Sequence, residues 1–167
     1  MKSVEKATFA AGCFWGVEQA FRSVPGVVDA SVGYEGGSQT NPTYDDVCTD
    51  LTGHAEVVEV AFDSTKVSYE QLVGFFFQIH DPTQRNRQGP DIGTQYRSAI
   101  FVHSGEQRRI AEETIAWLEQ QKVFRRSIVT TVETASTFWR AEEYHQQYLA
   151  KRGRAACAVA GARTPRP

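Results

Sequence analysis

The chain has 167 residues, of which 41% are hydrophobic and 23% are charged, and a formal net charge of −2. This length and composition are typical of one soluble globular domain with a hydrophobic core. The weak net charge argues against nucleic acid as a partner. Residues 1–6 contain no apolar run, and the apolar segment 72–79 is too short to span a bilayer. We therefore expect a cytoplasmic protein with no signal peptide and no membrane contact.

The spacing of apolar residues predicts the secondary structure in chain order. Strands are predicted at residues 5–11, 27–34, 54–62, 97–103 and 128–133. Helices are predicted at residues 15–23, 68–80, 104–121 and 138–148. Because strands and helices mix along the chain, we predict a single-domain α+β fold with a mixed or antiparallel sheet.

Two long irregular segments interrupt these elements, at residues 36–53 and 81–96. Loops of this length are often functional. After residue 150 the chain contains basic residues, glycine, alanine and proline, and no acidic residue. We therefore expect a folded domain over residues 1–150, followed by a flexible basic C-terminal tail over residues 151–167.

The stretch Gly12-Cys13-Phe14-Trp15-Gly16 is the first candidate for a reactive site. It lies where a predicted strand ends and a predicted helix begins. Free backbone N–H groups and the helix dipole favour a negative charge at such a position, and they lower the pKa of a thiol. The two glycines suit a tight turn. The alternative is a structural cysteine buried beside two core aromatic residues.

The three cysteines, Cys13, Cys48 and Cys157, are odd in number and widely spaced. This pattern is neither a disulfide framework of a small secreted domain nor a zinc motif. We therefore expect no metal and no cofactor. In a reducing compartment, any disulfide among these cysteines would be transient and catalytic.

Three polar clusters lie in or beside the irregular segments, at residues 41–45, 53–56 and 91–97. Each has a structural alternative: Tyr44 can cover the edge of the core, Asp91 can form an Asx turn, and Glu56 can lie on the solvent face of its strand. That strand is rich in valine, which favours burial of Glu56. A buried carboxyl keeps its proton, and a neutral carboxylic acid near a thiol can act as a general acid.

Seven short motifs together resemble those of the peptide methionine sulfoxide reductase A family. They are GCFWG at 12–16, GYEGG at 33–37, NPTY at 41–44, GHAE at 53–56, HDPT at 80–83, GTQYRSAI at 93–100 and EYHQQYL at 143–149. The motifs follow the family's order, and the resemblance covers residues 5–157. It implies a protein-repair enzyme of oxidative stress that reduces methionine-S-sulfoxide, protein-bound or free, to methionine.

The resemblance also implies a role for each matched residue of the first motif. Cys13 corresponds to the nucleophile, which attacks the sulfoxide sulfur and becomes a sulfenic acid. Phe14 and Trp15 correspond to the pocket that binds the methyl group of the substrate. Burial of that methyl group is worth roughly 0.8 kcal/mol.

Four polar residues correspond to the groups that act on the sulfoxide oxygen. Glu56 corresponds to the acid, Tyr44 and Tyr96 to the residues that hold the oxygen, and Asp91 to a residue that assists them. These assignments agree with the chemistry, because the sulfur of a sulfoxide is electrophilic only when its oxygen is protonated or strongly hydrogen-bonded.

Recycling of the sulfenic acid requires a second thiol. The resemblance implies Cys157, because family members often carry a cysteine six positions after the lysine that corresponds to Lys151. The family's Asn-Pro-x-Gly-Tyr run before that cysteine is replaced here by residues 152–156. The implied product is a Cys13–Cys157 disulfide that thioredoxin reduces, with Cys48 as a bystander.

Two other classes of protein are compatible with the residues alone. A cysteine hydrolase needs a histidine to activate Cys13, and none of the four histidines lies in an obvious triad. A non-catalytic module could bind methionine-like side chains through Phe14 and Trp15. For the reductase interpretation, we expect a monomer with a ferredoxin-like core and a long irregular tail.

Overall fold

The computed structural model describes residues 3–152, so Cys157 and most of the expected tail lie outside the described residues. The strands are β1 (Val4–Ala11), β2 (Val27–Glu35), β3 (Ala55–Asp63), β4 (Arg87–Gln88), β5 (Asp91–Ile92), β6 (Ser98–Val102), β7 (Thr131–Thr134) and β8 (Trp139–Arg140). The helices are α1 (Phe14–Arg22), α2 (Tyr44–Cys48), α3 (Tyr69–Gln78), α4 (Gly105–Gln120) and α5 (Tyr148–Lys151).

Six strands form one sheet in the order β7-β6-β1-β3-β2-β8. Every neighbouring pair is antiparallel except β6 and β7, which are parallel. The strands β4 and β5 form a separate two-stranded hairpin. The predicted α+β fold with a mixed, mostly antiparallel sheet is therefore confirmed.

The main core lies between the sheet and the helices. Phe9 of β1 stacks on Phe21 of α1, with ring centroids 4.8 Å apart, and on Phe76 of α3, at 5.2 Å. Amphipathic helices bury one face in this way. A smaller cluster around Phe101 covers the other side of the sheet, where Phe138 packs. The central strand β3 is consequently buried on both faces along most of its length.

The predicted helix at residues 138–148 is wrong. The segment instead contains β8, a 3-10 turn at Glu143–His145 and the first residue of α5. Tertiary contacts satisfy its polar groups: the side-chain amide of Gln146 bonds both the N–H and the carbonyl of Val32 in β2. Gln147 takes a left-handed backbone conformation, with φ of 54°, which an α-helix cannot contain.

The long segment 36–53 is ordered by a short helix and by a histidine. Thr43 and Asp46 form a reciprocal capping box at the start of α2. The ring of His54 accepts a hydrogen bond from the Gly37 N–H (3.0 Å) and donates one to the Gln39 carbonyl (2.7 Å). These bonds hold the loop that leads to Tyr44 against the start of β3.

No helix within residues 3–152 is both long and apolar enough to cross a membrane.

Candidate active site

Cys13 lies at the junction of strand and helix, as the sequence predicts. It is the residue before α1, and β1 ends at Ala11. Gly12 between them has φ of +102°, and a Cβ atom there would lie 2.8 Å from the Cγ of Gln88. Only glycine fits this turn, because a side chain would meet both backbone strain and a steric clash.

The thiol of Cys13 is partly buried, and its pKa is raised to about 12, mainly by this burial. The charges of Glu56 and Asp91 contribute to the increase, whereas the N–H groups of Trp15 and Gly16 at the helix start oppose it. The expectation that the helix start gives a low thiol pKa is therefore wrong. Desolvation and two nearby carboxyl groups outweigh the helix terminus.

Glu56 on β3 is 2% exposed, which confirms its expected burial. Its Oε1 atom accepts a hydrogen bond from the backbone N–H of Phe14 (3.2 Å), the first residue of α1. Its Oε2 atom has no hydrogen-bond partner among the described residues. The pKa of this carboxyl is raised to about 8, mainly by burial; the Phe14 bond opposes the increase, and the charge of Asp91 contributes to it. Glu56 therefore holds a proton at neutral pH directly beside Cys13.

The hydroxyls of Tyr44 and Tyr96 both lie close enough to Glu56 for its charge to affect their pKa values. Burial raises the pKa of Tyr44 and of Tyr96, and the charge of Glu56 raises both further. Both hydroxyls therefore stay protonated and can donate hydrogen bonds. Asp91, whose pKa burial also raises, and Cys13 act on Tyr96 as well. The structure thus brings these predicted site residues into one cluster.

Aromatic rings form one wall of this cluster. Trp15 stacks on Tyr148 of α5, with ring centroids 3.8 Å apart. Its indole N–H donates to the Nδ1 atom of His145 (2.9 Å). Phe14 is 1% exposed and packs between the rings of Tyr34 (5.7 Å) and His145 (5.2 Å). Phe14 is therefore the buried member of the expected pair and Trp15 the accessible one.

Cys48 ends α2 and is exposed. Hydrogen bonds from Tyr44 and Gln95 lower the pKa of this thiol, but burial and the charge of Glu56 give a net increase. Its side chain therefore lies at the edge of the same cluster.

Three residues of this site carry roles that the sequence reasoning missed. Tyr34 is fully buried on β2 and pairs with Glu56 across the strands. His145 is fully buried against Trp15, and Glu142 bonds the Tyr34 hydroxyl and the Tyr44 N–H. Tyr34 lies in the motif GYEGG, His145 lies in EYHQQYL, and Glu142 directly precedes that second motif. Their partners lie on other elements, most of them more than 40 residues away in the chain, so the motifs alone do not reveal these contacts.

Within residues 3–152, no group of three or more histidine, cysteine or acidic side chains is arranged to hold a metal ion. The chemistry that the described site itself offers is that of a thiol, a protonated carboxyl and two hydroxyl donors. Such a set belongs to an enzyme with cysteine-based chemistry.

Comparison with known proteins identifies the family. Residues 5–165 match the family described as peptide methionine sulfoxide reductase. The chain is 62% identical over 156 residues to the peptide methionine sulfoxide reductase MsrA of Methanoculleus marisnigri, covering 93% of this chain and 95% of that protein. It is 63% identical over 154 residues to the MsrA of Acidobacterium capsulatum, covering 92% and 99%.

Comparison with solved structures indicates the same family. Reduced Mxr1 from Saccharomyces cerevisiae has a TM-score of 0.88 at 36% identity and covers 99% of this chain and 93% of its own. Methionine sulfoxide reductase A of Corynebacterium diphtheriae has a TM-score of 0.79 at 40% identity, covering 92% and 77%. The chain belongs to the peptide methionine sulfoxide reductase A family and is an oxidoreductase. This membership decides against the hydrolase and the binding module.

Proposed function

We propose that this chain reduces methionine-S-sulfoxide, protein-bound and free, to methionine through a sulfenic acid on Cys13. A Cys13–Cys157 disulfide then forms, and thioredoxin reduces it. Family membership supports the overall reaction. The individual steps are argued below from the residues of the site.

The observation that carries the proposal is the carboxyl of Glu56. It is buried beside Cys13, its pKa is raised to about 8, and its Oε2 atom has no partner among residues 3–152. An unpartnered buried polar group is costly, so such groups are rare unless they act on a ligand. A sulfoxide oxygen is a strong acceptor, and it would take the proton that Oε2 carries.

In the first step, Cys13 attacks the sulfur while the sulfoxide oxygen takes up the proton of Glu56. Tyr44 and Tyr96 donate hydrogen bonds to the same oxygen and stabilise the transition state. The S–O bond breaks as the oxygen moves to Cys13, which gives methionine and a cysteine sulfenic acid. The proton of the Cys13 thiol replaces the one that Glu56 lost. Asp91 assists by raising the pKa of Glu56.

The substrate methyl group packs against the aromatic wall. Phe14 forms its buried part and Trp15 its accessible part. Contacts between sulfur and aromatic rings contribute on the order of 0.3–1.5 kcal/mol each. A chiral site of this kind accepts one sulfoxide epimer, which we propose is the S form.

In the second step, the thiol of Cys157 attacks the sulfenic acid, which releases water and forms the disulfide. Thioredoxin then transfers two electrons through its own dithiol. Yeast Mxr1 in its complex with Trx2 is similar to this chain, with a TM-score of 0.59 at 28% identity. This similarity supports thioredoxin as the reductant. Cys48 is exposed but has no assigned step.

The remaining expectations concern the whole chain. We propose that residues 1–150 form the catalytic domain and residues 151–167 a flexible basic tail that carries Cys157. The strand order β6-β1-β3-β2, with α1 and α3 as the crossovers, supports a ferredoxin-like core. We further propose a cytoplasmic monomer.

A single-turnover assay tests the proposal. Reduced protein is mixed with each epimer of a peptide methionine sulfoxide, without reductant, and methionine and protein mass are measured together. We expect one methionine per protein from the S epimer alone, and a loss of two hydrogens that maps to Cys13 and Cys157. The Cys13→Ser variant is the control and should form no methionine. No methionine from either epimer would refute the proposed function, whereas a disulfide to Cys48 would refute only the role of Cys157.

A further inference from the structure

Glu142 lies between β8 and the 3-10 turn at Glu143–His145, and its side chain is 34% exposed. Its Oε1 atom accepts a hydrogen bond from the hydroxyl of Tyr34 (2.9 Å), and its Oε2 atom accepts one from the backbone N–H of Tyr44 (2.9 Å). Although burial raises the pKa of Glu142, these hydrogen bonds lower it below its usual range. One ionised carboxylate therefore joins three segments that are distant in sequence.

Both bonded tyrosines lie close enough to Glu56 for its charge to raise their pKa values. Tyr34 pairs with Glu56 across β2 and β3, and its ring packs on Phe14, whose N–H bonds Glu56. Tyr44 is the first residue of α2 and provides a hydroxyl for the sulfoxide oxygen in the proposed function. The carboxylate of Glu142 thus sets the position of Tyr44 relative to the acid Glu56.

Tyr44 needs such a support because α2 has only five residues. Helices this short are not stable alone and depend on tertiary contacts. Val47 is the one fully buried residue of α2, and the ring of Tyr44 at the start of the helix is only partly buried against the core. The N–H of Tyr44 is one of the free donors at that start, and Glu142 accepts from it.

The same carboxylate faces His145. The Nδ1 atom of His145 accepts from the Trp15 indole, so the ring proton is on Nε2. This Nε2 atom lies 3.9 Å from the Oε1 atom of Glu142 and has no hydrogen-bond partner among the described residues. The His145 ring also lies 4.5 Å from the ring of Tyr44. The charge of Glu142 therefore acts on the group that orients Trp15.

We propose that Glu142 is a positioning residue for sulfoxide reduction: by accepting from the Tyr44 N–H and the Tyr34 hydroxyl together, it holds the Tyr44 hydroxyl where the sulfoxide oxygen binds. This inference rests on the proposed function. Glu142 itself does not touch the reacting atoms. Its removal should therefore lower the rate through Tyr44.

The first test compares Glu142→Gln with Glu143→Gln. A glutamine has one accepting oxygen and an amide nitrogen that only donates, so it cannot accept from the Tyr44 N–H and the Tyr34 hydroxyl as the carboxylate does, and it lacks the negative charge that strengthens both bonds. We expect the rate constant of methionine formation at saturating sulfoxide to fall by about 10- to 100-fold, with little change in KM. Glu143 is the matched control, because it is adjacent and 78% exposed and pairs only with Arg140 among the described ion pairs. Glu143→Gln should keep the wild-type rate.

The second test is a double-mutant cycle with Tyr44→Phe, which removes the hydroxyl and leaves the backbone N–H. If Glu142 acts through that hydroxyl, Glu142→Gln should slow the Tyr44→Phe protein by less than about 2-fold. A general loss of structure would instead slow both backgrounds by the same factor, which would overturn the inference. A wild-type rate for Tyr44→Phe combined with a slow Glu142→Gln would also overturn it.

Tyr34→Phe gives a second variant in case Glu142→Gln does not fold, because it removes one of the two bonds and keeps both the charge and the ring. Tyr34→Phe should slow methionine formation in the wild-type protein but not in the Tyr44→Phe protein. Equal slowing in both proteins would contradict the inference. Methionine formation by the wild-type protein is measured first. If the wild type forms no methionine, the proposed function is refuted. If the wild type is active but the rate effects of the variants are additive, only the role of Glu142 is refuted.

Discussion

The buried carboxyl of Glu56 makes the free energy of unfolding depend on pH. Its pKa is about 8 in the folded chain, against a usual value of 4.5 for glutamate. Between these values the unfolded chain has released the proton and the folded chain still binds it. The contribution of Glu56 to stability is therefore lost as pH rises from about 4.5 to about 8.

We therefore expect Glu56→Gln to raise the free energy of unfolding by about 1–3 kcal/mol at pH 7. Glutamine keeps an oxygen that can accept the Phe14 N–H and has no proton to lose. Urea unfolding at pH 7 and pH 4 measures the effect. The measurement at pH 4 is the control, since glutamate is then protonated in the folded state and largely protonated in the unfolded one. An equal change at both pH values would contradict this account.

The same substitution tests the acid role of Glu56. For the wild type, the second-order rate constant of methionine formation should rise with pH, because the Cys13 thiolate becomes more abundant, and should level off near pH 8, where Glu56 loses its proton. Glu56→Gln should be slower by about 10²- to 10⁴-fold at pH 8, and its rate constant should continue to rise above that pH. A variant rate equal to that of the wild type would remove Glu56 from the acid role.

Among the structural elements, the loop before α2 leads directly to Tyr44 at the site. Gly37 approaches the backbone of residues 52–54 closely, and a Cβ atom there would clash with the Thr52 carbonyl and the His54 N–H. Backbone atoms cannot move aside as a flexible side chain can. The close approach places the loop so that His54 can bond it on both sides.

We expect Gly37→Ala to lower the free energy of unfolding by about 1–3 kcal/mol and to slow methionine formation, because the displaced loop carries Tyr44. Gly74→Ala is the matched control. Gly74 lies inside α3, where an added Cβ meets no described atom within 4 Å. That change should stabilise the protein by about 0.5–1 kcal/mol and leave the rate unchanged. Thermal unfolding and the single-turnover assay provide the two measurements.

For the whole molecule, the proposed recycling depends on a second thiol that must reach Cys13. Cys157→Ser should form one methionine per protein and then stop in the presence of thioredoxin, because the sulfenic acid cannot form its disulfide. Cys48→Ser should continue to turn over. Steady-state assays with thioredoxin, its reductase and NADPH compare the two variants. Continued turnover of Cys157→Ser would show that Cys48 or direct reduction regenerates Cys13.

Much of the fold was predictable because its elements follow local rules. The strands β1, β2, β3 and β6 and the helices α1, α3 and α4 begin and end within about two residues of their predicted bounds. Each has a clear apolar pattern or an N-cap, such as Ser68 before α3. The segment 138–148 failed because Gln146 and its neighbours make their hydrogen bonds to β2 and not along a helix.

The candidate site was predictable only in part. Cys13 and Glu56 stood out because a thiol between glycines and a carboxyl on a valine-rich strand are unusual in any sequence. The pKa of Cys13 could not be predicted, since it depends on burial and on Glu56 and Asp91, which come from other parts of the chain. Glu142 was missed because nothing in its local sequence distinguishes it from Glu143.

The sequence by itself determined the α+β class and the family, and it named the candidate residues for the chemistry, because these depend on local patterns and on short motifs in a defined order. Only the tertiary structure decided which groups keep their protons and which carboxylate holds Tyr44 in place. Protonation depends on desolvation and on charges brought together by folding. The link from Glu142 to Tyr44 spans 98 residues of the chain, and no local pattern encodes a hydrogen bond over that separation.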